Sequence, residues 1–164
     1  MRFLLKLNDA VGKVENVLIS VGLLSMLVLA FLQVVMRDVF NKGIPWADSI
    51  VRLLVLWVGF VGASLATKLD QNLTLEVLTK YMPERFRHLS SMVVKAFAIT
   101  ICWFLFQASL KFLGDEMTTG EQFLKLFPSW YTLTIFPATF ALISFHLVVG
   151  ILKDMVYFVK GKPA

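Results

Sequence analysis

A stretch of twenty residues without a single charge, Val17 to Met36, limits what this chain can fold into. As an α-helix it rises about 30 Å, which is the thickness of the hydrocarbon core of a bilayer. Three further apolar stretches follow it, and the charged residues gather between them. Hydrophobic residues make up 58% of the chain, against about 45–50% in soluble domains. The sequence therefore predicts an integral membrane protein.

The apolar pattern predicts an all-α membrane protein with four transmembrane helices in a single domain, residues 1–164. The spans are expected at about residues 17–37, 46–67, 89–113 and 129–152. An amphipathic surface helix is predicted for Met1 to Asn16, where the apolar side chains share one helical face. The alternative for that segment is a frayed start of the first span. A short interfacial helix is expected after Asn72, ending before Pro83.

The distribution of positive charge predicts the orientation. Eleven of the sixteen Lys and Arg residues lie in segments on the side that holds both termini, so we expect both termini to be cytoplasmic. The segment 114–125 is predicted to be a loop on the opposite side, together with the turn at 42–43. The net charge of +5 follows from this arrangement, so nucleic acid is not expected as a partner.

Several residues inside the spans have predicted packing roles. Gly22 and Ser25 allow another helix to approach closely. Lys95 is expected to extend its ammonium group back to the lipid headgroups. Pro137 removes one backbone hydrogen bond and should kink the last span. Cys102 is the single cysteine, so an intrachain disulfide is excluded and packing is its expected role.

Motifs for catalysis or cofactor binding are absent from the sequence. It contains no phosphate-binding loop, zinc motif or dinucleotide fingerprint, so no enzyme activity, catalytic residue, metal site or cofactor is predicted. His146 lies deep in the last span and is expected to be satisfied by a neighbouring helix, with proton transfer as the alternative. His88 lies at a loop edge, so the two histidines do not form a haem site. These features favour a subunit whose activity depends on a partner.

The turn between the first two spans carries charges that need partners. Asp48 and Arg52 lie one helical turn apart, and Arg52 begins a strongly apolar stretch. We predict that Arg37, Asp48 and Arg52 form one charged cluster. The alternative is that the two arginines reach the headgroups independently.

Small residues form a ridge on the second span. Gly59, Gly62, Ala63 and Ala66 share one helical face. This ridge is expected to pack against another helix, either within the chain or on a partner subunit. Trp46 begins the same span at interface depth.

The residue order in these spans carries a family pattern. It comprises Arg37, Phe40-Asn41, Trp46, Asp48, Arg52, Trp57 and Gly62-Ala63. This order resembles the small membrane subunit of tripartite ATP-independent periplasmic (TRAP) transporters. The likeness continues through Pro83, Arg87, Pro128, Trp130 and Pro137. Ala47 and Gln71-Asn72 depart from the family pattern.

The resemblance implies a multi-pass protein of the bacterial inner membrane, surrounded by phospholipid. In such a complex a large membrane subunit carries substrate and sodium by an elevator motion. A periplasmic binding protein delivers an organic acid, such as sialic acid or a C4-dicarboxylate. The small subunit is then a scaffold for the static part of the large one. The alternative is a membrane anchor of an enzyme or electron-transfer complex, supported by His146 and the four spans.

Overall fold

The computed structural model describes residues 2–41, 43–79, 84–119, 122–123 and 127–160. Side chains are described for all of these except 2–4, 45, 70–79, 84–89, 122–123, 127 and 157–160. The predicted roles of Pro83, Arg87 and His88 rest on side chains outside this set.

Five helices and one short strand pair make up the described chain. Helix α1 spans Arg2–Phe40, α2 Pro45–Thr79, α3 Glu84–Thr119, α4 Trp130–Leu133 and α5 Ile135–Lys160. Strands β1 (Gln122–Phe123) and β2 (Phe127–Pro128) form an antiparallel pair. Four helical stretches are long and apolar enough to cross a membrane: Leu5–Phe40, Trp46–Leu69, Ser90–Thr119 and Trp130–Val156. The predicted four-span, all-α fold is confirmed.

The spans extend further than hydropathy indicates. The predicted N-terminal helix is present, but it continues into the first span as one 39-residue helix, about 58 Å long at the usual rise. The segment predicted as an interfacial helix after Asn72 likewise belongs to α2 up to Thr79. Residues 114–119 are helical rather than a loop, and Thr118 and Thr119 donate hydrogen bonds to the Asp115 carbonyl. Hydropathy indicates which residues lie in the hydrocarbon core of the bilayer. A helix, in contrast, continues until its backbone hydrogen-bond pattern stops.

The four long helices pack in the order α1, α2, α5, α3. Helix α2 packs between α1 and α5, and α3 packs on the other side of α5, whereas α1–α5 and α2–α3 contacts are sparse. Large apolar side chains of α1 and α3 are exposed, among them Phe31 and Phe104. Nine of the described buried residues are polar or charged: Asn8, Glu15, Ser64, Ser91, Lys95, Ser109, Thr139, His146 and Asp154. Such an inside-out distribution fits a protein whose surface meets lipid.

The helix ends on the hairpin side follow local rules. Helix α1 ends at Phe40, and Asn41 directly after it has a φ of 52°. Asparagine tolerates the left-handed conformation that is common after a helix. The last span is divided at Thr134, three residues before Pro137, whose missing N–H leaves a carbonyl of the preceding turn without its helical donor. Where the sequence predicts a kink at Pro137, the structure has a one-residue break between α4 and α5. The indole Nε1–H of Trp57 donates to the Thr132 carbonyl at 3.1 Å and joins α2 to this break.

Aromatic rings form contacts that join α2, α5 and α3. The ring of Phe60 on α2 meets Phe136 on α5 edge to face, with centroids 4.8 Å apart. Phe140 also packs edge to face on Phe60, and Phe112 of α3 packs on Phe136. Edge-to-face pairs contribute about 0.5–1.5 kcal/mol beyond area burial, so this cluster fixes how α2, α5 and α3 face one another.

Gly22 allows α1 and α2 to approach closely, as the sequence predicts. A Cβ at this position would lie 2.6 Å from Cγ2 of Val58, which is closer than two carbon atoms can pack. The β-branched Val58 has little rotamer freedom with which to move away. Helix α1 and α2 therefore meet at a contact that requires glycine.

We expect Gly22→Ala to lower the free energy of unfolding by about 1–3 kcal/mol, because it overpacks this contact. Thermal or denaturant unfolding of the purified chain in detergent measures the effect. Gly59→Ala is the matched control: nothing lies within 4 Å of a Cβ at Gly59, so that change should be neutral or slightly stabilising through helix propensity. Equal effects of the two changes would show that α1 and α2 do not meet at Gly22.

Candidate functional site

The start of α2 carries the charged pair predicted from its spacing. Nη2 of Arg52 lies 2.6 Å from Oδ2 of Asp48, one turn earlier; the Arg52 side chain is largely exposed and that of Asp48 is half exposed. Arg37 instead lies beside its neighbour, with its Nε 3.3 Å from Oδ1 of Asp38. Among the described side chains, the predicted cluster of three is replaced by two separate pairs. Because Asp38 follows Arg37 directly, it supplies a closer carboxylate than Asp48 on the next helix.

The small-residue ridge of α2 faces away from the other helices of the chain. A Cβ built at Gly59 or Gly62 meets nothing within 4 Å, and Ala63 and Ala66 are exposed. Of the two partners considered for the ridge, a helix within the chain is therefore excluded in the described structure. The ridge remains open to lipid or to another subunit.

The charged pair and the ridge lie on one face of α2. Their helical spacing places Asp48, Arg52, Val55, Gly59, Gly62, Ala63, Ala66 and Leu69 along a single line. We call this line the α2 stripe; its members are exposed or half-buried. Trp46 lies outside the stripe and is about half exposed. Most of the residues that the sequence singles out for interaction thus lie on one continuous surface.

A buried polar cluster, which sequence reasoning missed, joins α1, α2 and α5. His146 on α5 has no exposed surface. Its Nδ1 lies 2.6 Å from Oδ1 of Asn8, and its Nε2 lies 3.2 Å from Oε2 of Glu15. Ser64 on α2 donates its hydroxyl to Oε1 of Glu15 at 2.6 Å. We call these four residues the inner polar cluster, because they are buried between α1, α2 and α5.

The sequence does contain a signal for this cluster. Asn8, Glu15 and Gly22 recur at intervals of seven residues, which places them on one side of a continuous helix. The repeat crosses from the first sixteen residues into the first span, so it is not visible when those sixteen residues are treated as a separate surface helix. His146 is satisfied by neighbouring helices, as expected, but its partners come from the segment that we predicted to lie on the membrane surface.

A further ion pair lies beside the inner polar cluster. Nζ of Lys68 on α2 lies 3.3 Å from Oδ1 of Asp9 on α1. The Lys68 side chain also fills the space beside Gly12, where a Cβ would overlap it. Together with Glu15 and Ser64, this pair holds the first half of α1 against the second half of α2.

A second buried cluster joins α3 to α5. Nζ of Lys95 lies 2.6 Å from Oδ2 of Asp154, and Ser91 donates its hydroxyl to the same oxygen at 2.8 Å. Both charged residues are about nine-tenths buried. The expectation that Lys95 extends to the lipid headgroups is therefore wrong, because a carboxylate on the adjacent helix supplies a closer partner than the membrane surface does.

The described side chains of these clusters do not form a metal site. The described residues contain no group of three or more His, Cys, Asp and Glu side chains that could hold a metal ion. Both ring nitrogens of His146 face protein side chains, so the ring offers no free nitrogen as an axial ligand to haem. The clusters hold the helices of the chain together. The exposed surface is therefore available for contacts with partners.

Comparison with known proteins decides the family. The family model described as "Tripartite ATP-independent periplasmic transporters, DctQ component" matches residues 26–156. The chain belongs to this family. It is thus a small permease subunit of the DctQ type, a component of a transporter and a multi-pass protein of the inner membrane.

Three relatives illustrate the range of the family. The C4-dicarboxylate TRAP transporter small permease protein DctQ of Vibrio cholerae is 27% identical, over 87% of this chain and 72% of that protein. A putative TRAP transporter small permease protein of Haemophilus influenzae is 29% identical, over 60% of this chain and 62% of its own length. The sialic acid TRAP transporter permease protein SiaT of H. influenzae is 27% identical over 58% of this chain, which is only 15% of SiaT. No solved structure matches the chain.

The buried Lys95–Asp154 pair leads to a test of the α3–α5 contact. Lys95→Ala removes the ammonium group that lies 2.6 Å from the buried carboxylate of Asp154, so we expect the free energy of unfolding to fall by about 3–5 kcal/mol. Replacing both residues, as Lys95→Met with Asp154→Leu, should be less harmful than the single change. Denaturant unfolding in detergent measures both.

Arg37→Ala is the control, because an exposed pair such as Arg37–Asp38 contributes only about 0–1 kcal/mol. If Lys95→Ala cost no more than this control, the Lys95–Asp154 contact would not be a buried tie between the helices.

Proposed function

We propose that this chain is the scaffold subunit of a sodium-coupled TRAP transporter that imports an organic acid. In this role it binds a large permease subunit and supports the part of that subunit that stays fixed while the transport part moves as an elevator. A periplasmic binding protein delivers the acid, and phospholipid surrounds the assembly. The chain itself binds neither sodium nor substrate.

The open α2 stripe is the observation that carries the proposal. In a lipid bilayer no hydrophobic effect drives helices together, so small residues that let backbones approach closely mark helix–helix contacts. The ridge at Gly59 and Gly62 is not used within the chain. A helix of another subunit can pack there, and the Asp48–Arg52 pair at the end of the same stripe offers polar contacts to it.

The internal ties support a scaffold rather than a moving part. Two buried polar clusters and an aromatic cluster hold α1, α2, α5 and α3 in a fixed order. Elements that move during function are drawn from the less stable parts of a structure. Because the buried polar groups of this chain bind one another, its helices are better suited to keep a fixed arrangement during transport.

The relatives support a permanent partner and an acidic substrate. In SiaT the matching region is 15% of a longer permease protein, so a unit like this chain is there joined covalently to a large remainder. The names of two relatives specify C4-dicarboxylate and sialic acid. Both are carboxylic acids, and we extend that class to the acid imported here.

The second candidate, a membrane anchor for an enzyme or electron-transfer complex, has lost its main support. That reading depended on His146 as a haem ligand, and both nitrogens of the ring face Asn8 and Glu15. A visible absorption band of haem in the purified complex would restore it.

The test of the proposal is co-purification with the large subunit, followed by transport in proteoliposomes. With the binding protein and an inward sodium gradient, we expect acid uptake only when this chain accompanies the large subunit. Gly62→Leu should reduce the recovered complex and the uptake together, because it places a bulky side chain in the proposed contact.

Two controls separate assembly from folding. Gly62→Leu should leave the thermal stability of the isolated chain unchanged, since a Cβ built at Gly62 meets no atom of another helix within 4 Å. Gly62→Ala adds a single methyl group and should retain most of the complex. Full assembly and uptake with Gly62→Leu would place the ridge against lipid, and uptake by the large subunit alone would refute the scaffold role.

A further inference from the structure

An apolar groove of 660 Å³ runs along one side of the row formed by α1, α2, α5 and α3. Residues of α1 and α5 form its two walls, and α2, which lies between them, forms its floor. Most of its lining residues are aliphatic, among them Val14 and Leu18 on α1, Val58 and Val61 on α2, and Leu142 on α5. The groove is therefore an apolar cleft in a surface that meets lipid.

The groove is too narrow for a protein helix. At one end its walls converge, because the side chains of Glu15 on α1 and His146 on α5 lie 3.2 Å apart. A helix with its side chains is about 10–12 Å across, and helices approach one another closely in membranes through small residues. The walls carry branched side chains such as Val14, Leu18 and Leu142 instead. An acyl chain, which is a single file of CH₂ groups, fits such a cleft.

The groove reaches from the membrane boundary to the middle of the hydrocarbon core. On α1 it begins at Ala10, seven residues before the uncharged stretch that starts at Val17, and it ends at Ser25, eight residues into that stretch. Eight helical residues rise about 12 Å, and one leaflet contributes about half of the 30 Å hydrocarbon core. The groove therefore matches one leaflet, and its Ala10 end lies at the depth of the headgroups.

Basic residues lie beyond that end on both walls. Lys6 is exposed and lies one helical turn before the start of the groove on α1. Lys153 lies seven residues after His146 on α5 and hence on the same face of that helix. As the first and fourth spans, α1 and α5 run in opposite directions. Because His146 contacts both Asn8 and Glu15, Lys153 lies at a depth close to that of Lys6, where a lipid phosphate group belongs.

We propose that the groove is a binding site for one phospholipid. One acyl chain lies along the groove, and the phosphate lies within reach of Lys6 and Lys153. The groove and the α2 stripe use different residues of α2, so a lipid and a partner helix can be bound at the same time. The proposal concerns this chain alone and does not depend on the transport function proposed above.

The fluorescence of Trp57 tests the proposal, because its indole ring lines the groove and is held by the hydrogen bond to the Thr132 carbonyl. The full chain with Trp46→Phe, Trp103→Phe and Trp130→Phe keeps Trp57 as its one tryptophan. It is reconstituted in nanodiscs of phosphatidylcholine that contain a small fraction of phosphatidylglycerol with brominated acyl chains. Bromine quenches a tryptophan only on close contact, so quenching reports a chain in the groove.

A second reporter chain measures contact with bulk lipid. It keeps only Trp103, which is exposed on α3, outside the groove. At a low fraction of brominated phosphatidylglycerol, we expect Trp57 to be quenched more strongly than Trp103, because a binding site collects its lipid from the bilayer. We call this difference the excess quenching of Trp57.

Variants that fill the groove separate a bound lipid from bulk lipid. Ala138 lines the groove and is exposed, so Ala138→Phe should abolish the excess quenching of Trp57 without entering a packed contact. Ala10→Phe fills the opposite end of the groove, away from Trp57, and should have the same effect without shielding the indole directly. Ala141→Phe is the matched control, because Ala141 is exposed on the same helix outside the groove. It should keep the excess quenching.

The double variant Lys6→Gln with Lys153→Gln tests the position of the headgroup. The preference of Trp57 for brominated phosphatidylglycerol over brominated phosphatidylcholine should fall by about fivefold for each lysine removed. Lys111→Gln changes an exposed lysine of α3 and should leave that preference unchanged. An unchanged preference in the double variant would overturn the placement of the phosphate at this end of the groove.

Two further results would overturn the lipid site itself. Equal quenching of Trp57 and Trp103 at every fraction of brominated lipid would show that the groove holds only bulk lipid. Complete protection of Trp57 from brominated lipid, either in the chain alone or in its complex with the large subunit, would show that protein covers the groove.

Discussion

The contact between Glu15 and His146 is the interaction on which the arrangement of the chain depends. In lipid, apolar side chains gain little by moving from solvent to protein, so apolar area alone does not decide which helices meet. A buried carboxyl group and a buried imidazole must be satisfied by one another or by neighbouring side chains. Asn8, Glu15, Ser64 and His146 meet that requirement across three helices. Lys95 and Asp154 attach the fourth.

The order of the helices follows from these ties and explains how the chain can serve as a subunit. Helices α2 and α5 lie inside the row, with α1 and α3 at its edges, and large apolar side chains remain exposed on both edge helices. The α2 stripe adds small residues that meet nothing in the chain. Polar groups are thus used for internal cohesion, and the outer surface is free for lipid and for the large permease subunit of the transporter.

Much of this could be predicted from the sequence, because hydropathy and glycine positions are local signals. The four spans and the close approach at Gly22 come from such signals, and so does the irregular backbone near Pro137, although the sequence predicted a kink there rather than a break. The buried pairs could not, since the partner of Lys95 is 59 residues away and that of His146 is 131 residues away. The cluster of Arg37, Asp48 and Arg52 failed for a related reason. Spacing within one helix predicted Asp48–Arg52 correctly, whereas the approach of Arg37 depended on the turn, and Asp38 lay nearer.

A cryo-electron microscopy structure of this chain bound to its large permease subunit in lipid tests the central claim most directly. That claim is that internal polar ties hold the row and leave the α2 stripe for a partner. The account predicts that Gly59 and Gly62 lie against a helix of the large subunit, with Glu15 still in contact with His146. A structure in which the α2 stripe faces lipid, or in which α1 is separated from α5 at Glu15, would contradict it.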